Sequence, residues 1–250
     1  MSAPVLEAKG LVKTFGALVA AKNINVSVNA NARLSLIGAN GAGKTTFVNM
    51  VTGYLKPDAG EVLLDGKAIT GLPPRRITRA GVCRSFQIPQ LCESMTALDN
   101  IIVAIEVAKD ERPSFIRPAH EPRAVERARE VLERFGLAPY ADQSVNELPG
   151  GVRKLIDIAM ALASRPRVLL LDEPTSGVSS EEKFPLMDRV MAALAGENAA
   201  VIFVEHDMDI VTRYAERVLA FYSGEIIADD APDEVLADPA VREYVTGTAR

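Results

Sequence analysis

A chain of 250 residues, 48% hydrophobic and 24% charged, has the balance of a soluble globular protein with room for one core, or one core plus a subdomain. A net charge of −5 argues against a nucleic-acid-binding surface spread over the whole molecule, and the two cysteines, Cys83 and Cys92, have neither metal-site spacing nor the density of a secreted scaffold. The longest apolar runs, at 168–171 and 199–204, are too short to cross a bilayer and no basic-plus-apolar leader opens the chain, so work at a membrane is expected to need another protein as anchor.

In chain order, "PVLEAKGLVKTF" and "NINVSVNANARLSLIG" alternate apolar and polar residues and predict strands, with Asn-rich turn chemistry between. "GAGKTTFVNMVTGYL" predicts a helix from Gly43 onward. "GYLKPDAGEVLLDGKAI" predicts a hairpin, with Asp65 and Gly66 suited to its tight turn. From about 96 to 163 helical patterns dominate. "LDNIIVAIEVA" is one; "PRAVERAREVLERFG" is another, opening with Pro122, closing with Gly136 and carrying one apolar stripe on a charged surface. Between them "KDERPSFIRPAHEP" reads as a loop rich in proline and charge. In "NELPGGVRKLIDIAMALA" a proline and two glycines stand directly before a further helical pattern. "RVLLLDEP" and "AAVIFVEHD" are short, continuous apolar runs. They fit strands buried on both faces of a parallel sheet, with helices crossing between them. The tail "SGEIIADDAPDEVLADPAVREYV" predicts a short strand, a turn and a small helix. No internal repeat is visible.

Three stretches carry chemistry. Residues 38–45, Gly38, Ala39, Asn40, Gly41, Ala42, Gly43, Lys44 and Thr45, read G-x-x-x-x-G-K-[ST] between an apolar strand and a helix. Such glycines let backbone N–H groups turn inward around phosphate oxygens, and the helix adds its positive N-terminal end. Lys44 would bridge the β- and γ-phosphates, Thr45 would place a hydroxyl on Mg²⁺, and Thr46 would supply the next N–H and hydroxyl. The bland alternative is a Gly-rich turn feeding a helix. Asp172 and Glu173 end an apolar strand, where ligands sit in open parallel sheets. Asp172 would hold Mg²⁺ through water, and Glu173 would take a proton from the attacking water. The alternative there is an acidic pair stabilised by a helix dipole. His206, one of two histidines, ends the next apolar strand, in place to bond a γ-phosphate or to orient Glu173 and its water.

The order of these motifs resembles that of the ATP-binding cassette (ABC) ATPases over nearly the whole chain. The carriers are the phosphate loop, Gln87 in "RSFQIPQL", a helical insert, Leu148, Pro149, Gly150 and Gly151 in the place of an L-x-G-G signature, then the Asp-Glu and His strand ends. The resemblance implies one α/β domain over 1–250. Its P-loop NTPase (RecA-like) core with a parallel sheet would come from 1–95 and 164–250, including an antiparallel β subdomain; an α-helical subdomain would cover about 96–163. It implies ATP and Mg²⁺. It implies that Gln87 contacts Mg²⁺ and the attacking water and senses a membrane partner, and that adenine stacks on Phe15. In this family two cassettes pair head to tail, so Leu148, Pro149, Gly150 and Gly151 would close over the ATP of a second cassette. The free N–H groups of Gly150 and Gly151 would then face a γ-phosphate.

The chain departs from the family pattern L-S-G-G-Q. Pro149 stands for the serine and Val152 for the glutamine, and Ser179 in "TSGVSS" stands where the family usually has aspartate. Pro149 offers neither hydroxyl nor N–H, and losing one hydrogen bond to a charged phosphate costs about 1.5–3 kcal/mol. The expectation is an asymmetric heterodimer with a sister subunit, a homodimer with a second copy of this chain being the alternative. This chain's phosphate loop would work under a partner's standard signature, and the site closed by Pro149 would be weaker.

"LIGANGAGKTTFVNMVTGYLKPDAGEV", "RAGVCRSFQIPQLCESMTALDNI" and "LAFYSGEIIADDAPDEVLADPAVREYV" resemble, more finely, ATPase subunits of bacterial branched-chain amino acid importers and their relatives for amides, urea or aromatic acids. That implies ATP-driven uptake at the cytoplasmic face of the bacterial inner membrane, with no nucleic acid as partner. Separate integral-membrane permease subunits would dock short helices near Gln87 and 89–94, and a periplasmic solute-binding protein would take part indirectly. Two other classes compete. A cassette of DNA repair, chromosome folding or translation needs a long coiled-coil or zinc insert, or a second cassette. A regulatory module that binds ATP with little turnover is opposed by Glu173 and kept open by Pro149 and Ser179.

Overall fold

Apolar runs without alternation form the middle of the molecule. The structure, a computed structural model, describes residues 3–108 and 121–247; the stretch "KDERPSFIRPAHEP" lies almost wholly outside the described residues. In chain order the elements are β1 (Leu6–Phe15), β2 (Leu18–Val28), β3 (Arg33–Ile37), α1 (Lys44–Val51), β4 (Ala59–Leu64), β5 (Lys67–Ala68), α2 (Pro74–Ala80), β6 (Val82–Ser85), α3 (Ala97–Ala108), α4 (Pro122–Arg134), α5 (Gly150–Ala163), β7 (Val168–Asp172), α6 (Ser180–Leu194), β8 (Ala200–Val204), α7 (Met208–Tyr214), β9 (Arg217–Tyr222), β10 (Glu225–Asp230) and α8 (Pro232–Ala237).

Two sheets result. One is antiparallel, in the order β2-β1-β4-β5; the other has the order β10-β9-β3-β8-β7-β6, with every neighbouring pair parallel except the β10 edge. β7 shows why its sequence lacks alternation. Leu169 and Leu171 pack into a core shared with α3, α4, α5 and α6, while Val168 and Leu170 pack into a second core with α1 and the antiparallel sheet. Both faces are covered, so both must be apolar. β8 divides the same way, Val201 and Phe203 to the first core, Ala200, Ile202 and Val204 to the second.

The register aligns the functional ends. Ser85 lies opposite Leu171, Asp172 opposite Val204, and Leu36 opposite Val204. The segments after β3, β6, β7 and β8 therefore leave the sheet at one edge, where ligands of such sheets bind.

Three features differ from the sequence reading. β2 begins at Leu18, ahead of the predicted Asn23, because hydrogen bonds to β1 carry it past an irregularity at Asn23, whose φ is 52°. The Asn-rich turn after β2 passes the chain from one sheet to the other, since β3 pairs with β8 and β9. The tail holds more helix than predicted, α8 being followed by a turn at Pro239–Val241 and a π-helical stretch at Arg242–Thr246. Asp65 and Gly66, with φ of 46° and 74°, make the predicted tight turn between β4 and β5.

Candidate functional site

The buried strand β3 delivers the chain into the loop 38–43, which must stay bare backbone. Gly38, Gly41 and Gly43 hold φ of 146°, 82° and 113°, which side chains avoid. A Cβ on Gly38 would overlap the Phe221 carbonyl of β9, and one on Gly43 would stand 2.9 Å from the Ala20 carbonyl of β2. The Gly224 N–H donates to Ala42 O at 2.9 Å, closing the loop against the β9–β10 turn. Ala39, Asn40, Gly41 and Thr45 are exposed, and Thr46 is half-buried. The Lys44 ammonium is nearly enclosed and donates to Gly38 O at 2.5 Å and Ala39 O at 3.1 Å. Burial lowers its pKa, opposed by the charges of Glu173 and Asp172. A concave run of main chain, a cation held at its mouth and a helix start without a side-chain cap fit a polyphosphate.

Glu173 follows β7 with φ 46°, a left-handed conformation that a residue with a long side chain rarely adopts. Its N–H is held by Val204 O at 3.0 Å. That bend leaves the carboxylate between two of the predicted site residues, His206, expected to orient it, and Gln87, expected only at Mg²⁺ and the water. Gln87 Nε2 donates to Glu173 Oε2 at 2.7 Å, and His206 Nε2 lies 3.2 Å from Glu173 Oε1. Three residues 86 and 33 positions apart in pairs thus form one cluster. Phe15 ends β1, half exposed, with Lys13 Nζ 5.6 Å from its ring centre.

Several side chains that sequence reasoning missed support this cluster. Asp172 is met by Arg84 of β6 at 2.5 Å, and the other guanidinium nitrogen donates to Asn49 of α1 at 2.7 Å. Buried Glu205 accepts the Thr175 N–H and hydroxyl at 3.1 and 2.8 Å and the His206 N–H at 3.2 Å, which binds the segment after Glu173 to the one carrying His206. Burial raises the Glu205 pKa, opposed by these Thr175 and His206 bonds. Lys154 and Asp157 of α5 reach the backbone around Gln87. The one available signal was their place inside the apolar run of that helix, where a charge needs a partner.

The 148–151 segment stands apart, and among the described residues no hydrogen bond joins it to the phosphate loop or to Glu173. Leu148 is buried. Pro149 stands directly before the helix, at its N-cap, with extended backbone and its carbonyl accepting Arg153 N–H at 3.0 Å, whereas Gly150 and Gly151 already belong to the helix. Its ring replaces the usual capping oxygen, which leaves the first amides of α5 without a side-chain cap. A Cβ built on Gly150 or Gly151 meets nothing within 4 Å, so the start of α5 is open on the side where a side chain would stand. Ser179 is the N-cap of α6, and its hydroxyl donates to Glu182 of its own chain at 2.7 Å.

The chain matches the family model described as "ABC transporter" over residues 21–176. It is 35% identical, over the full length of both chains, to the high-affinity branched-chain amino acid transport ATP-binding protein BraF of Pseudomonas aeruginosa. The crystal structure of the ADP conformation of MJ1267, an ATP-binding cassette of an ABC transporter, superposes with a TM-score of 0.86 at 32% identity, covering 97% of this chain and 98% of that one. The ATP-binding cassette MJ0796, in a dimeric post-hydrolysis state bound to ADP and Pi, gives a TM-score of 0.76 at 26% identity over 91% of this chain and 98% of that one.

Proposed function

The chain belongs to the ABC transporter family, and from that premise we propose that it is the ATP-hydrolysing subunit of an importer for branched-chain amino acids or related small polar or aromatic solutes. The observation that carries this reading is the contact of Glu173 with both Gln87 and His206 at the sheet edge that holds the phosphate loop.

The roles follow from the geometry. Amides of 41–46 wrap the phosphates of ATP, and Lys44 exchanges its two carbonyl partners for phosphate oxygens. Phe15 offers its exposed face to adenine. Glu173 takes a proton from a water that Gln87 holds, and His206 keeps the carboxylate aimed. Thr45, Gln87 and Asp172 would hold Mg²⁺, which neutralises phosphate charge when bound. Here Asp172 must share its carboxylate with Arg84.

The N–H groups of Gly150 and Gly151 close over the ATP of a second cassette, with Leu148 and Pro149 shaping the loop. Because Pro149 and Ser179 depart from the family pattern, the pair is an unequal one, a heterodimer of this chain with a sister subunit. The helical subdomain, about 96–163, and the core bound a groove of about 290 Å³, with Tyr54, Arg84, Phe86, Gln90, Val107 and Met160 among its walls. Ile88, between the groove residues Phe86 and Gln90 in sequence, is 74% exposed. That groove takes the short helices of separate permease subunits. Among the described residues no helix is long and apolar enough to cross a membrane, so those subunits hold the chain at the cytoplasmic face of the bacterial inner membrane. The permease and a periplasmic binding protein choose the solute.

Phosphate release by the complex assembled with permease and partner cassette tests the reading. Turnover that requires Mg²⁺ and rises with solute-loaded binding protein is the expected result. A complex that binds ATP and releases no phosphate would overturn it in favour of a regulatory module.

A further inference from the structure

α5 buries Leu155, Ile156, Ile158 and Ala159 in the helical core, yet Lys154 and Asp157 of the same helix are only 3% and 6% exposed. Buried charges are costly unless paired and hydrogen-bonded. Both of these reach out of the helix to one place. Lys154 Nζ donates to the carbonyls of Phe86 at 2.8 Å, Gln87 at 3.1 Å and Asp172 at 3.4 Å. The two oxygens of Asp157 accept the N–H groups of Phe86 at 3.1 Å and Gln90 at 3.0 Å. The side chains stand three residues apart on one helical face, so both address the same stretch of backbone. Burial pulls the Lys154 amine below its usual pKa, opposed by the Asp157 and Asp172 charges. It pushes Asp157 above its own, opposed by the Gln90 and Phe86 N–H groups.

The distribution of these bonds sets a direction. Four end on the main chain of 86–90, which aims Gln87 at Glu173, and the remaining and longest one ends on Asp172 of β7. At 3.4 Å the bond to the strand is the weakest of the five, so a shift of α5 relative to the sheet would break it before the four bonds to 86–90. α5 is also the helix that begins at Gly150, directly after Pro149.

We propose that Lys154 and Asp157 are positioning residues that set Gln87 against Glu173 and join that contact rigidly to α5. A displacement of the 148–151 loop as it closes over a partner's nucleotide is thereby delivered to the water beside Glu173 in this chain's own site. The inference rests on the ATPase reading above and adds to it a mechanical link between the two nucleotide sites of a cassette pair.

The test compares the complex carrying wild-type chain with complexes carrying Lys154→Met, Asp157→Asn, and the double variant Lys154→Met with Asp157→Leu. Each is measured for kcat and KM with Mg·ATP and for amide hydrogen exchange across 86–90. The double variant removes both charges together, so it leaves no lone buried ion to unfold the helix. Expected are a kcat lower by about 10- to 100-fold, a KM changed by less than about twofold, and faster exchange at Phe86 and Gln90. An unchanged kcat, a KM that rises in step with the loss of rate, or unaltered exchange at 86–90 would each overturn the proposal. A wild-type complex that binds ATP without releasing phosphate removes the ATPase reading and this inference together. An active wild type with unaltered variants removes this inference alone.

Discussion

The segments after β6, β7 and β8 are joined by hydrogen bonds to one another, whereas among the described residues no hydrogen bond links 149–151 or Ser179 to them. On the first face Gln87 and His206 each meet Glu173, and Lys44 is folded back onto its own loop. On the second, the first amides of α5 have no side-chain cap, and Ser179 closes a bond to Glu182 of the helix it caps. The first is a site that one chain can finish, because parallel strands in register bring their ends together whatever the distance in sequence. The second is half a site. A helix start exposes unsatisfied N–H groups, and with no side chain capping α5 they are left to solvent, a ligand or another molecule. The departures from the expected signature and the loop after it, Pro149, Val152 and Ser179, all fall on this unfinished face.

The finished face is broken most severely at Glu173. Glu173→Gln keeps the shape and the Gln87 contact while removing the base. It is expected to lower kcat by about 10²- to 10⁴-fold with ATP still bound, read from phosphate release beside equilibrium binding of a labelled ATP. Next is Lys44→Ala, which removes the enclosed cation. ATP affinity is expected to fall by about 10- to 100-fold, the equivalent of about 1.5–3 kcal/mol for a bond to a charged group, and calorimetric titration reads it. An ATP affinity unchanged by this substitution would detach Lys44 from the phosphates.

Smaller effects are expected on the unfinished face. Pro149→Ser restores a capping hydroxyl and is expected to raise turnover of the assembled complex, by no more than about tenfold; equal turnover would mean that the proline loop closes as well as the serine form. Ser179→Ala loses the bond to Glu182 and is expected to cost up to about 1 kcal/mol in thermal unfolding. If it also lowers turnover, Ser179 crosses to the partner and the two faces are more alike than the single chain indicates. The smallest effect concerns the hairpin carrying Phe15. Asp58 accepts Lys13 Nζ, then the N–H and hydroxyl of Thr14, and these bonds hold its carboxyl down to about 2 from an unperturbed 3.8. Because the folded value is depressed, the stabilisation is present above 3.8 and lost as the pH falls toward about 2. Asp58→Asn should flatten acid unfolding in that window alone.

What the linear sequence determined was whatever lies within a few consecutive residues. The spacing of Gly38, Gly43 and Lys44, the acids after "VLLL" and the histidine after "AVIFV" are short patterns whose chemistry depends on local backbone, so they were legible before any fold was known. Strand type was legible in β7 and β8 for the same reason, since a strand covered on both faces has no polar position. The tertiary structure alone decided which distant groups meet. Nothing in the residues around Arg84 names Asp172, and nothing in α5 names the main chain at Phe86 and Gln90. It also decided that β2 and β3 enter different sheets. The physical reason is that a buried charge, a strand edge or a free amide accepts any partner of suitable chemistry, and packing alone brings one particular partner within hydrogen-bonding distance.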